Sequence, residues 1–90
     1  MRAASAEELL ELLRRVFEKE FEIPQEQVTP AARLVEDLEL DSLDAVVLAL
    51  RVEEETGLDL DEDELKALDT VASLVALVQR CLREQAGATS

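Results

Sequence analysis

Three runs of Leu, Val and Ala at helical spacing, each bounded by a cap or a breaker, constrain this chain more than anything else in it. In the first, Leu9, Leu12, Leu13, Val16 and Phe17 recur on one face of a 3.6-residue period. Ser5 and Glu8 precede that face with the spacing of a capping box, in which each side chain satisfies a free backbone N–H. This first helix is expected to end near Lys19 to Phe21, before Pro24, with Glu11 and Arg15 as an i,i+4 ion pair on its wet side. The second runs from Ser42 to Thr56, with Asp41 as N-cap and Gly57 as the C-terminal stop. The third starts at Thr70, an N-cap, and places Val71, Leu74, Val75, Val78 and Leu82 on one face. Helices of this length are marginal alone, so their apolar stripes must pack on one another.

The segments between are read from their breakers. Residues 21–40 form a long connection interrupted by Pro24 and Pro30, with Ile23, Val28, Leu34, Leu38 and Leu40 available to pin it to a core. The spacing allows a short turn of helix near 31–38. Loops this long inside a compact domain are uncommon and are often functional. Leu58 to Leu60 reads as an extended link, and Asp61 to Leu68 as a short acidic helix. The expected fold is therefore all-α: a small four-helix bundle, three main helices plus one short one, with a long loop between helices one and two. One domain over residues 1–84 and a flexible polar tail over 85–90 are expected.

Composition agrees. The chain has 90 residues, 48% hydrophobic but only 2% aromatic, from Phe17 and Phe21, so the core is Leu, Val and Ala. The lone Cys81 rules out an intramolecular disulfide and reads as a structural residue of the last helix. The first residues lack the apolar core of a signal peptide, and no apolar run reaches the length of a membrane span. A cytoplasmic monomer is the expectation.

Charge narrows the partners. The net charge is -13 with no histidine, so a phosphate backbone would be repelled and nucleic acid is excluded as a partner. Residues 36–64 hold thirteen acids against the single base Arg51, whereas residues 1–20 are almost balanced. So concentrated a field steers basic partners to one surface. Asp59, Asp61 and Asp63 alternate as at the start of a calcium loop. Glu64 then stands where glycine is required and Thr70 where a bidentate acid is required, so no specific metal site is expected.

Asp41-Ser42-Leu43-Asp44 is the segment that points to chemistry. An ordinary first-turn serine is the bland alternative. Here Asp41 already occupies the cap, which leaves the Ser42 hydroxyl free. The positive end of the helix dipole beside it favours an attached phosphate group. Catalysis by Ser42 itself is not expected: no histidine exists to activate it, and nothing in the sequence brings Lys19 or Lys66 near. The second helix also carries more apolar positions than one core face needs. Val46, Ala49 and Val52, with Leu48 beside them, suit the core. Leu43, Val47 and Leu50 form a second stripe, flanked by Asp44, Glu53 and Glu54; either the helix is central and buried on two sides, or, the reading favoured in so small a domain, the stripe is a partner-docking surface.

These residues carry a resemblance. Leu38-Glu39-Leu40-Asp41-Ser42-Leu43-Asp44, a helix ending in Val52-Glu53-Glu54-Glu55, then Gly57-Leu58-Asp59-Leu60 and the Thr70-Val71 helix start are similar to acyl carrier proteins over nearly the whole chain. The resemblance implies that Ser42 bears covalent 4'-phosphopantetheine derived from coenzyme A, installed by a phosphopantetheinyl transferase, with Asp41 as the acid preceding the serine. It implies a non-enzymatic carrier whose arm holds acyl groups as thioesters for synthase or ligase enzymes of fatty-acid, polyketide or related synthesis. Partners with basic docking patches would read Leu43, Asp44, Val47, Leu50, Glu53 and Glu54. A peptidyl or aminoacyl carrier, or an unmodified acidic adaptor binding a basic partner through helix two, are the alternatives. The sequence departs from the family pattern at Glu39, where glycine is usual, and a slightly different loop shape is expected there. Val47 and Arg51 also make helix two more apolar and less acidic than in ordinary fatty-acid carriers, which suggests a specialised carrier.

Overall fold

The computed structural model describes residues 5–88, the last four of these by their backbone only. It contains α1 (Ala6–Phe21), α2 (Ser42–Thr56), α3 (Glu62–Lys66) and α4 (Val71–Ala88), with a 3-10 turn at Gln25–Gln27. No strand occurs among the described residues, and the all-α reading holds. α1 packs on α4 and α2, and α3 packs on α2.

Each boundary has a local cause. Ser5 and Glu8 form the expected capping box, at 3.2 and 3.1 Å. α1 ends where Glu22 turns left-handed (φ 57°) and the N–H of Ile23 donates back to the Phe17 carbonyl at 3.2 Å. α2 ends at Gly57 (φ 77°), which is free to take that conformation. α4 continues to Ala88, into residues expected to be a polar tail, because Arg83-Glu84-Gln85-Ala86 contains only good helix formers. Thr89 and Ser90 of the expected tail lie outside the described residues.

Leu9, Leu13, Val16 and Phe17 of α1 meet Leu74, Val75, Leu77 and Val78 of α4 in one core, completed by Val28, Leu34, Leu38 and Leu40 of the long loop and Leu58 and Leu60 of the link. Phe17 is fully buried, with the Phe21 ring 5.8 Å away. Buried Thr56 donates its hydroxyl to the Val52 carbonyl at 2.6 Å and accepts the Leu58 N–H at 3.2 Å. No buried side-chain polar atom is left unpaired among the described residues. On α2 the core face is Leu48, Ala49, Val52 and Thr56; Val46, expected there, is only half-buried. The i, i+4, i+8 line through Leu48, Val52 and Thr56 faces the bundle, and Val46 falls at its margin.

The long loop is stitched down. Its carbonyls at Pro30 and Ala32 accept the N–H groups of Ala72 and Val71, both at 2.9 Å, and the Leu34 N–H donates to the Asp69 carbonyl at 2.8 Å. The loop thus satisfies the first free donors of α4. With its backbone used this way, the segment near 31–38 forms no helix and closes only a single i,i+4 turn, within the short turn the sequence allowed. The segment runs instead through turns closed by Asp37, whose backbone N–H donates to the Arg33 carbonyl while its carboxylate accepts the Arg33 N–H. The helical turn of this connection follows Pro24, whose φ of -57° already suits a helix start. The ion pair of α1 is Arg14 with Glu11 at 3.3 Å, not Arg15. Arg14 is held there by a second bond, from its Nε to the Val28 carbonyl at 3.0 Å, which ties helix to loop.

Candidate functional site

Ser42 sits where the stitched loop meets the first turn of α2. The approach is fixed at Glu39, whose φ of 58° is left-handed and which reverses the chain so that the Leu40 N–H reaches the Leu34 carbonyl at 3.0 Å. Glu39 thus stands in the left-handed region, where a residue with a Cβ is strained. The residue takes the conformation that glycine serves, with Glu in its place. Leu38 and Leu40 on either side are buried and anchor the turn.

Asp41 and Asp44 then close a reciprocal cap. Asp41 Oδ1 accepts the Asp44 N–H at 2.9 Å, and Asp44 Oδ2 accepts the Asp41 N–H at 3.2 Å. Both carboxylates are engaged by the turn. Ser42 is exposed and its hydroxyl makes no hydrogen bond among the described residues, so it stands free on a rigid turn.

Beside it opens a cavity of about 320 Å³. Its walls are mainly apolar, with Leu34, Leu40, Leu48, Leu65 and Leu68 inside and exposed Val35 at the edge. Asp41, Ser42 and Lys66 are the polar residues that line it. The size falls in the range of small-molecule sites, roughly 300–1,000 Å³. Nothing in the sequence brought Lys66 near Ser42, yet packing α3 on α2 places both on this cavity. Val35 was missed too. A single exposed apolar residue in an irregular loop belongs to no period, so the sequence carried no signal for it.

The second stripe of α2 divides unevenly. Leu43 is 71% and Leu50 54% exposed, while Val47 is half-buried. Glu53 and Glu54 are exposed and Asp44 half-exposed. Glu54 is bonded to Arg51 at 2.5 Å, and Arg51 reaches across to Glu20 of α1 at 2.9 Å. Those two carboxylates, Glu54 before Glu20, push the Arg51 guanidinium still higher in pKa than usual. Cys81 is half-buried in α4, and burial above all pushes its thiol up, which makes it a poor nucleophile. Among the described residues no three His, Cys, Asp or Glu side chains converge as a metal site, and no helix is long and apolar enough to cross a membrane.

Comparison with known proteins gives a consistent result. The family model described as a phosphopantetheine attachment site matches residues 11–78. The chain is 43% identical over 75 residues to acyl carrier protein 2 of Ralstonia nicotianae, covering 83% of this chain and 93% of that one. It is 33% identical over 79 residues to the acyl carrier protein of Thermotoga maritima, covering 88% and 98%. It is 34% identical over 82 residues to the meromycolate extension acyl carrier protein of Mycolicibacterium aurum, covering 91% and 84%.

Proposed function

As the chain belongs to the acyl carrier protein family, whose members bear phosphopantetheine and are carriers rather than catalysts, we propose that Ser42 is the attachment residue and that α2 presents the face its partner enzymes read. The observation that carries this is the free, exposed Ser42 hydroxyl on a turn whose cap is supplied by its neighbours Asp41 and Asp44. When bound, the arm supplies a terminal thiol that holds acyl groups as thioesters. The residues fit such a group. A hydroxyl with no internal partner is open to a transferase, and the apolar cavity next to it suits a lipid chain.

Each neighbour of the serine then has a role. Leu38, Glu39 and Leu40 hold the turn; Asp41 and Asp44 lock the first residues of α2, so the backbone that carries the hydroxyl is held in place. Leu43 and Leu50 offer the partner its apolar contacts, and Glu53 and Glu54 its charge complement, with Glu54 partly neutralised by Arg51. Synthases and modifying enzymes act on carriers of this family. Here we assign the modification to a phosphopantetheinyl transferase and the docking contacts to basic patches on these enzymes.

Incubation with coenzyme A and a broad-specificity transferase, followed by intact mass, tests the assignment. A single gain equal to the arm is expected for the wild type and none for Ser42→Ala. Failure to gain the arm beside a control carrier that does gain it would leave an unmodified acidic adaptor as the better reading. A gain that persists in Ser42→Ala would move the attachment elsewhere.

A further inference from the structure

Among the described residues Lys66 is the one base on the cavity beside Ser42. Its surroundings offer it easier partners. Glu62 stands four residues before it and Asp63 three, both on α3, and a Glu four residues N-terminal to a Lys is the favourable order for a helical ion pair. Glu64 is taken by Arg80 at 2.5 Å. Yet Lys66 makes no ion pair with any of the described residues, in a chain whose net charge is -13. It lines the cavity instead, together with Asp41 and Ser42.

A phosphodiester on Ser42 would add a permanent negative charge to a turn that already holds Asp41 and Asp44, with Glu39 two residues before Asp41. The cation available to it on this cavity is Lys66. A lysine ammonium on a four-carbon stem serves as a mobile point charge for phosphate oxygens, where the fixed fork of an arginine would demand one geometry. We propose that Lys66 is a positioning residue for the arm: its ammonium pairs with the phosphodiester carried by Ser42 and holds the arm along the mouth of the apolar cavity. This rests on Ser42 being the attachment residue. It gives α3 a task beyond closing the bundle, and it leaves the stem of Lys66 to cover apolar lining while its head stays in water.

The chain has two lysines, so the second serves as an internal control. Lys19 lies on α1 in a separate groove with Arg15 and Arg51. The protein is made with 13C at lysine Cε, and proton–carbon spectra are taken of the apo form and of the holo form after intact mass has confirmed the arm. The Lys66 signal is expected to move on conversion while Lys19 stays. The Lys66 change should shrink in 1 M salt, where the screening length falls to about 3 Å. In 31P spectra of the holo protein, Lys66→Gln should shift the phosphodiester signal, and a signal unmoved by Lys66→Gln overturns the pairing. An unmoved Lys66 signal in a protein that carries the arm overturns the pairing while leaving Ser42 in place. So does a change that appears only after a malonyl group is loaded, since the anion would then be the acyl carboxylate. Absence of the mass gain overturns the Ser42 assignment and this inference together.

Discussion

Glu39 holds a left-handed φ of 58°, which costs a residue with a Cβ about 1–2 kcal/mol. The turn before Ser42 requires it, because the Leu40 N–H must reach the Leu34 carbonyl. Glycine would remove that cost and lose part of the gain through the greater freedom of its unfolded chain, about 0.5–1 kcal/mol. Glu39→Gly is therefore expected to stabilise the protein by about 0.5–1 kcal/mol, a rise in melting temperature of about 2–8 °C for a domain this size, read by circular dichroism. A melting temperature that falls would mean the Glu39 side chain stabilises the turn by more than its backbone costs. The departure from glycine was visible in the sequence. The backbone conformation was not, because a Glu at that position gives no sign of a positive φ. Ser42 was legible for the opposite reason: an Asp on each side of the Ser42-Leu43 pair declares the cap, and the serine is then left over.

α2 is the element on which most of the proposed function lies. Its ends followed from Asp41 and Gly57, since caps are local chemistry. The sequence put Leu48, Ala49 and Val52 on the core side and Leu43 and Leu50 away from it, but apolar residues nearly surround the helix and periodicity alone could not say how sharply the sides differ. Packing decided it: Leu48 is 2% exposed and Leu43 71%. The two should respond oppositely to truncation. Leu48→Ala is expected to lose about 2–5 kcal/mol of stability, as buried leucines do. Leu43→Ala and Leu50→Ala should melt near the wild type and yet lower kcat/KM for transfer of the arm on the order of tenfold each, about 1.4 kcal/mol of recognition. Unaltered transfer by both variants would remove these leucines from the docking face. A large fall in their melting temperature would show that they are structural.

At the scale of the whole molecule, charge repulsion adds to the chain entropy that opposes the compact fold. Thirteen acids crowd residues 36–64, and the ion pairs that relieve them, Arg33 with Glu36, Arg51 with Glu54 and Arg80 with Glu64, are all at the surface, where each is worth little. The fold should gain melting temperature as sodium chloride or magnesium is added, because screening relieves the repulsion. A melting temperature flat or falling with salt would show that the repulsion is already relieved within the fold. Helical class, helix number and the prominence of Ser42 were determined by the chain alone, because periodicity, caps and breakers act over a few residues and leave their marks in order. Tertiary structure decided what depends on distant segments meeting. It stitched the long loop to the start of α4, buried one side of α2 and left the other bare, and brought Lys66 to the cavity of Ser42. Contacts between elements are settled by packing, and no local pattern records them.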